Sequence, residues 1–444
     1  LRAGGSPAGG DRELTFLKRK RRVEEGALAP VEREIVVAVY PGETRVAVLE
    51  RGLLVEIDVE RRERRSMVGD IYLGRVENVL PGMEAAFVNI GHERNALLYV
   101  GDIFVGEKEK EREKGRRSDI RSMLKPGQRL MVQVSKDPMG SKGARLTTYV
   151  SLPGCYLVLL PQACSLGVSQ KLHPEERQRL RELVEGIRPP HTGVIVRTAA
   201  QGRDEKELRR DLDFLLRKWK EIKAEAERRR APALLFREPE LEIKVVRDLL
   251  SEEWDRIVTD SPEAHGRLRD YLKSVEPALL EKLVLYRGRE PLFRALDINR
   301  QIKEALRREI PLPSGGSIVI DPTEALTAID VNTGRFVGRS NLEDTVLRTN
   351  LEAAREIVRQ LRLRDIGGII VIDFIDMMES RNRREVLEVL ESELRKDRTK
   401  SYVVELSQLG LVEMTRKNVS EGLIEAFGET CPVCGGRGVI FREP

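Results

Sequence analysis

Asp330, Asn332 and Asp373 are the residues of this sequence whose types and spacing suit a chemical task. Ser317–Ile320, the turn Asp321-Pro322 and Ala325–Val331 read as a hairpin. Asp330 and Asn332 stand two apart near the end of its second strand, so strand alternation points both side chains to one side. Gly334 marks the turn that follows, and Ser340-Asn341-Leu342-Glu343 has the capping-box pattern that opens a helix from Glu343 to about Asp365. Gly367-Gly368 ends this helix, Ile369–Ile372 reads as a fully buried strand, and Asp373 is the first charge at its C-terminal end. A strand–helix–strand crossover of this length sets two strands side by side and parallel, and ligands collect outside the carboxyl ends of such strands. Two carboxylates and an amide carbonyl are hard oxygen donors that suit a Mg²⁺ ion retaining most of its waters. A divalent cation relieves the repulsion within the carboxylate pair and can activate water against a phosphodiester. Asp376 stands in reserve as an accessory ligand. These residues alone do not choose RNA over DNA, each Asp taken singly also suits an ordinary strand-end turn, and the alternative to an enzyme is a non-catalytic RNA-binding or scaffold protein.

Cys431-Pro432-Val433-Cys434-Gly435-Gly436-Arg437-Gly438 forms a second constellation, a knuckle presenting two thiolates to one zinc ion. A structural zinc site takes four ligands, so the missing two can come from the same knuckle of a second subunit, making Zn²⁺ a clamp in a homodimer. The rival reading is a redox dithiol, which normally opens a helix; the glycine run argues against that helix. Cys155 and Cys164 border an apolar strand far away and read as buried, inert thiols. His92, His173, His191 and His265 lie in separate blocks and form no metal or triad pattern.

The elements that position these residues follow from pattern. With 444 residues the chain exceeds what one hydrophobic core serves, so several packed subdomains are expected. Its 78 basic and 73 acidic residues nearly cancel, so nucleic-acid affinity must come from local clusters. No stretch approaches a membrane span, no signal-peptide core opens the chain, and four cysteines in a chain of this size point to a reducing cytoplasm. Residues 1–30, with the basic run Lys18-Arg19-Lys20-Arg21-Arg22, read as a disordered tail, or alternatively as a mobile arm for phosphates. Ile35–Tyr40, Thr44–Glu50 and Leu53–Asp58 alternate as an antiparallel meander. Gly69–Val79, Ala85–Asn89, Ala96–Val100 and Arg129–Val134 are short, evenly punctuated strands of a small closed barrel of the OB type, with Glu107–Asp119 as a solvated insertion. Leu208, Leu212, Leu215, Trp219 and Ile222 give a long helix one buried stripe, ended by Ala231-Pro232. Residues 241–310 alternate helices and short strands, and residues 311–427 form an α/β layer.

With these motifs in place, a resemblance emerges. Asp330-Val331-Asn332-Thr333-Gly334-Arg335, Thr349-Asn350-Leu351-Glu352-Ala353-Ala354, Arg359-Gln360-Leu361-Arg362-Leu363-Arg364-Asp365, Ile372-Asp373-Phe374-Ile375-Asp376-Met377 and the closing Cys431-x-x-Cys434 together resemble the ribonuclease E/G family, in order and spacing, from about residue 33 onward. The resemblance implies an endoribonuclease cutting AU-rich single-stranded RNA to 5′-phosphate and 3′-hydroxyl ends, in ribosomal and transfer RNA processing and messenger RNA decay. Asp330 and Asp373 match the family's Mg²⁺-binding aspartates and Asn332 the Asn beside them. Arg197 and Thr198 match its pocket for an RNA 5′-monophosphate, which Val158 helps wall. Phe87, Lys142 and Lys400 fall on RNA-contact positions, while Leu97 replaces a second aromatic contact. The implied fold is α+β in several subdomains: a tail (1–30), a ribonuclease H-like scaffold (31–66 and 243–306), an OB-type barrel (67–148), a 5′-sensor (149–242), a deoxyribonuclease I-like catalytic layer (307–427) and a zinc-link (428–444). The chain stops ten residues after Cys434, so the family's small C-terminal domain is read as absent and assembly beyond a dimer is left open.

Overall fold

The computed structural model describes residues 31–104, 120–138, 142–249, 254–334, 342–406, 411–417, 422–429 and 431–434. The basic tail, the charged insertion Glu107–Asp119, the Ser340-Asn341 end of the capping box, Arg335 and the glycines after Cys434 lie outside these residues. The fold is mixed α+β. The meander forms as read: β1 (Arg33–Tyr40), β2 (Glu43–Glu50) and β3 (Leu53–Arg61) pair antiparallel in sequence order. The chain then enters the barrel, β4 (Ile71–Leu80), β5 (Ala85–Asn89), β6 (Ala96–Tyr99), β7 (Arg129–Lys136) and β8 (Arg145–Thr147). A β4–β7 pairing closes these five strands on themselves, which abolishes the sheet edge. Two contributions escaped the sequence pattern. The three-residue β8 seals the barrel between β6 and β7, and a later strand pairs onto β4 from outside.

Next comes a four-stranded sheet of β9 (Leu152–Pro153), β10 (Leu157–Leu160), β11 (Leu166–Val168) and β12 (Gly193–Val196), with α1 (Pro174–Ile187) between its last two strands. The long helix α2 (Glu205–Arg228) starts at a reciprocal capping box, Asp204 with Glu207, worth about 1 kcal/mol. Leu208, Leu212, Leu215 and Ile222 are buried on its stripe, and Trp219 is half-buried. The chain returns through β13 (Ala233–Phe236), which joins the barrel, then α3 (Leu241–Leu249), β14 (Arg256–Thr259), α4 (Pro262–Val275), β15 (Leu283–Leu285) and α5 (Ile298–Ala305). β14 lies parallel to β1 and β15 parallel to β14, so the first sheet has the order β15-β14-β1-β2-β3. Segments more than two hundred residues apart thus build one sheet.

The last layer is a six-stranded sheet, β16 (Glu309–Pro311), β17 (Ser317–Pro322), β18 (Leu326–Asn332), β19 (Gly368–Asp373), β21 (Leu411–Arg416) and β20 (Ser401–Leu406), in that spatial order. The crossover helix α6 (Leu342–Leu363) makes β18 and β19 parallel, as the spacing required, and α7 (Ser380–Leu394) follows β19. Both helices pack on one face of the sheet. Ile318, Ile320, Ile329, Val331, Ile370, Ile372, Val412 and Met414 form a continuous core with Ile357, Leu361, Val386 and Leu390 of the helices. The other face is open, and this corrects the reading of Ile369–Ile372 as a fully buried strand. Ile370 and Ile372 are buried, but Ile369 is 52% exposed, because its side chain projects from the uncovered face. α8 (Leu423–Phe427) completes the described elements. Among the described residues, no helix is long and apolar enough to cross a membrane.

Candidate active site on an open sheet face

The parallel register pairs Asp330 directly with Asp373. Paired residues on neighbouring strands point to the same face, so the two carboxylates rise on the uncovered side from backbones one strand spacing, about 5 Å, apart. Both are exposed. Asn332, two residues beyond Asp330, donates from Nδ2 to Asp330 Oδ2 at 2.8 Å, which holds that carboxylate. Partial burial, and then the charges of Asp330 and Asp376, push the Asp373 carboxyl above its ordinary value. The reserve residue Asp376 is therefore close enough to act on Asp373. Crowded like charges on hard oxygen donors are what a divalent cation neutralises, so the donor set fits Mg²⁺. Among the described residues no cluster of three or more His, Cys, Asp and Glu has metal-binding geometry. A Mg²⁺ ion that keeps most of its waters does not need one.

The loops at the strand ends explain how the trio is held. After Asn332 the chain turns at Gly334, whose φ is +61° and where a Cβ would run into the Gly315 carbonyl oxygen. Only glycine fits both demands. After Asp373, the segment reaching Asp376 is clamped by Asn350, a fully buried residue of α6. Its amide donates to the Ile375 carbonyl at 2.8 Å and accepts from the Ile375 N–H at 3.1 Å. Glu343 continues the clamp: its carboxylate accepts from the N–H groups of Glu379 and Met378 and from Asn382 Nδ2, which hold it below its ordinary pKa. The sequence pattern presents Glu343 as a helix-opening capping-box residue and Asn350 as part of a motif, and gives neither a role in holding the strand end. A polar residue on the core stripe of an amphipathic helix was the available signal.

The motif Arg359 to Arg364 has a different task. Arg359 donates to the Leu54 carbonyl at 2.9 Å, Arg362 bridges buried Glu56 at 2.9 Å and also Glu50, and Arg364 reaches the Arg307 carbonyl. Arg359 and Arg362 thus fasten α6 to the first sheet, while Arg364 ties it to the segment that leads into β16.

The residues assigned to the 5′ end are brought together. Val158 pairs with Ile195, and Arg197 follows two residues on, so all three share one face of the small sheet. The Arg197 guanidinium donates to the Gly154 carbonyl at 2.6 Å and to Asp248 at 2.9 Å. Burial pushes the Asp248 carboxyl up, but Arg247 and Arg197 outweigh it and hold it below its ordinary value. Thr198 shares a 2.8 Å hydroxyl hydrogen bond with Ser169. The strand end itself is organised by buried Asp211 of α2, which accepts from the N–H groups of Cys155, Tyr156 and Leu157 at 2.9–3.1 Å. Lys171 reaches from this region to the Asp397 and Arg398 carbonyls, tying it to the segment that carries exposed Lys400.

On the barrel, Asn78, Phe87, Leu97 and Arg145 form one row across neighbouring strands. Phe87 is half-buried on the outer surface and Lys142 is exposed just before β8. Hydrogen bonds from the N–H groups of Cys434 and Val433, and from the Cys434 thiol, lower the Cys431 thiol pKa, the tendency a metal-binding thiolate requires. Cys155 is buried against the Tyr271 hydroxyl and its thiol is pushed far up by burial, as an inert thiol should be. Cys164 is only partly buried, because it lies in the turn beyond β10 rather than under the sheet.

Comparison with known proteins now defines the class. The model of the ribonuclease E/G family matches residues 151–419. Ribonuclease G of Escherichia coli K12 is 46% identical over 414 residues, covering 92% of this chain and 84% of the relative. Ribonuclease G of Haemophilus influenzae is 43% identical over 411 residues, again 92% of this chain and 84% of the relative. Ribonuclease E of Nostoc sp. is 46% identical over 382 residues, 85% of this chain but 55% of that longer protein. The chain belongs to the ribonuclease E/G family.

Proposed function

We propose that this chain is a Mg²⁺-dependent endoribonuclease that hydrolyses single-stranded, AU-rich RNA at the open sheet face. Membership of a family whose relatives are named ribonucleases supports RNA as the substrate. The observation that carries the assignment of the site is the direct pairing of Asp330 with Asp373, with Asn332 locked onto the first of them. Asp330 and Asp373 would hold the metal, Asn332 would orient Asp330 and offer its carbonyl, and Asp376 would lend further negative charge. When bound, Mg²⁺ supplies charge neutralisation and acidifies a coordinated water. The chain's own part is to fix the ligands on a rigid sheet and present them to a polymer too long for a cavity. Water adds to phosphorus, the bond to the 3′ oxygen breaks, and the products carry a 3′-hydroxyl and a 5′-phosphate.

The other assignments belong to the same reading. Arg197 and Thr198, with Val158 as an apolar wall, would grip an RNA 5′-monophosphate, for which a guanidinium fork is well suited. Phe87 would stack on a base while Lys142 and Lys400 meet phosphates. Cys431 and Cys434 would supply half of a Zn²⁺ site shared by two chains. The order β15-β14-β1-β2-β3, joining residues 31–66 with 243–306, supports the ribonuclease H-like scaffold, and the sheet and helices of 307–427 the deoxyribonuclease I-like layer. Activity in the cytoplasm on ribosomal, transfer and messenger RNA belongs to this reading too.

The test is a cleavage assay with and without Mg²⁺ on RNA and matched DNA oligomers bearing 5′-monophosphate or 5′-hydroxyl ends. Asp373→Asn should abolish cleavage and leave RNA binding measurable; retained cleavage would sink the site assignment. Arg197→Ala should erase the preference for the 5′-monophosphate.

A further inference from the structure

The open face carries more than the acidic trio. Strand alternation and the registers of β18, β19, β21 and β20 set its side chains in rows. Asp330, Asp373 and Leu411 make the row at the metal end. Ala328, Val371 and Glu413 come next, and behind them Leu326, Ile369, Thr415 and Tyr402. Beyond Tyr402 the Lys417 N–H donates to the Lys400 carbonyl at 3.0 Å, which continues the ladder and keeps both lysines on this face. Tyr402 is 68% exposed and Ile369 52%, on a surface next to carboxylates where large apolar groups have no packing reason to stand. Lys400 and Lys417 are exposed and enter no ion pair among the described residues. The lane thus runs from two carboxylates, over an aliphatic and aromatic step, to two exposed lysines.

We propose that the Ile369–Thr415–Tyr402 row is a base-binding platform for single-stranded RNA, with Tyr402 stacking on a nucleobase and Lys400 and Lys417 receiving the flanking phosphates. The inference rests on placing cleavage at Asp330 and Asp373. Tyr402 lies about 13 Å along the strands and about 10 Å across them from Asp373, roughly 16 Å in the sheet plane. That is a few nucleotides from the scissile phosphate. Charge complementarity and continuity with the acidic site favour RNA as the occupant. Alternate stacking surface and phosphate ligand is the arrangement by which proteins hold single strands without reading every base. Glu413, between the platform and the metal end, faces the path with an acceptor for base amino groups and keeps phosphates to the lysine end. The resemblance implies an RNA contact for Lys400; it implies none for Tyr402, Ile369 or Lys417.

The experiment uses the full chain carrying Asp373→Asn, so that RNA binds without being cut, and a 3′-fluorescein single-stranded RNA of a dozen nucleotides with a 5′-monophosphate. Tyr402→Ala should raise Kd about tenfold. Tyr402→Phe should restore affinity, since stacking needs the ring and not the hydroxyl. Lys417→Ala should reduce the slope of log Kd against log salt by about one phosphate contact. In the otherwise unaltered chain, Tyr402→Ala should raise KM and leave kcat unchanged. Unchanged affinity in Tyr402→Ala would overturn the platform while cleavage by the unaltered chain keeps the proposed function standing. A change of mass by sedimentation in Tyr402→Ala would overturn it in favour of a second copy of the chain on this face. Loss of affinity equally in Tyr402→Ala and Tyr402→Phe would overturn stacking. If the unaltered chain cleaves no RNA, the underlying reading fails instead.

Discussion

Asn350 is where a small change should separate positioning from folding. Its side chain is fully buried and makes two hydrogen bonds, both to the backbone of Ile375, two residues beyond Asp373. Asn350→Leu keeps the volume and removes both. At about 1 kcal/mol for each neutral bond, and with Ile375 only half-buried so that water can take over, the loss is about 2 kcal/mol. That loosens the segment from Phe374 to Glu379 roughly thirtyfold relative to its clamped state. A displacement of the Asp373 carboxylate by about 1 Å costs on the order of a hundredfold in rate. The assay is single-turnover cleavage at saturating RNA over a Mg²⁺ titration, beside urea unfolding. Expected are a lower maximal rate, a higher Mg²⁺ requirement, unchanged RNA affinity and an unfolding free energy reduced by about 2 kcal/mol. Asn350→Asp should be worse, since it sets a buried carboxylate oxygen against the Ile375 carbonyl. If Asn350→Leu is destabilised as stated and still cleaves at the original rate with the original Mg²⁺ dependence, the clamp supports folding alone and the reasoning fails.

Three further outcomes follow from the geometry. Asp211→Ala strands the N–H groups of Cys155, Tyr156 and Leu157, so it should cost about 3 kcal/mol or more in urea unfolding and remove the preference for 5′-monophosphate RNA. Asp373 has its folded pKa raised above the ordinary 3.8, so the metal-free fold holds an extra proton and loses stability as pH rises from 3.8 through that raised value. Mg²⁺ binds the carboxylate form, so the thermal shift on adding Mg²⁺ should grow with pH across the same window, and a pH-independent shift would contradict this. Cys431→Ser should abolish the zinc content seen by native mass measurement, expected at about one ion per two chains, and release monomers.

Much of this was legible because local pattern and tertiary need agreed. Asp330 and Asp373 could be placed on neighbouring parallel strands from hairpin, crossover length and strand ends alone, since a strand–helix–strand unit has one favoured solution. The meander and the stripe of α2 were legible for the same reason. Other features were set by packing at a distance. Ile369 reads as core because its neighbours are apolar, and nothing local says that helices cover just one face. The barrel's closing strand β8 is three residues long, below what alternation can signal. Asn350 acts on Ile375 across a helix and a strand, and Asp211 on residues fifty-four to fifty-six positions earlier, so neither role has a sequence pattern. The Arg359–Arg364 run carried the family resemblance, yet its contacts to Leu54, Glu56 and Glu50 are structural fastening.

The first sheet has a consequence for how the protein is made. β1 needs β14, with Glu34 to Val37 opposite Arg256 to Thr259, and β3 is fastened to α6 some three hundred residues downstream. At 5–20 residues per second, roughly 10–45 s of synthesis separate β1 from its parallel partner. Through that interval β1 leaves the ribosome with an unpaired edge while the barrel between them, whose strands are nearer neighbours in sequence, can already close. The barrel, the module that meets RNA in the proposed function, is thereby the first part of the nascent chain able to engage ligand, well before Asp330 and Asp373 are translated.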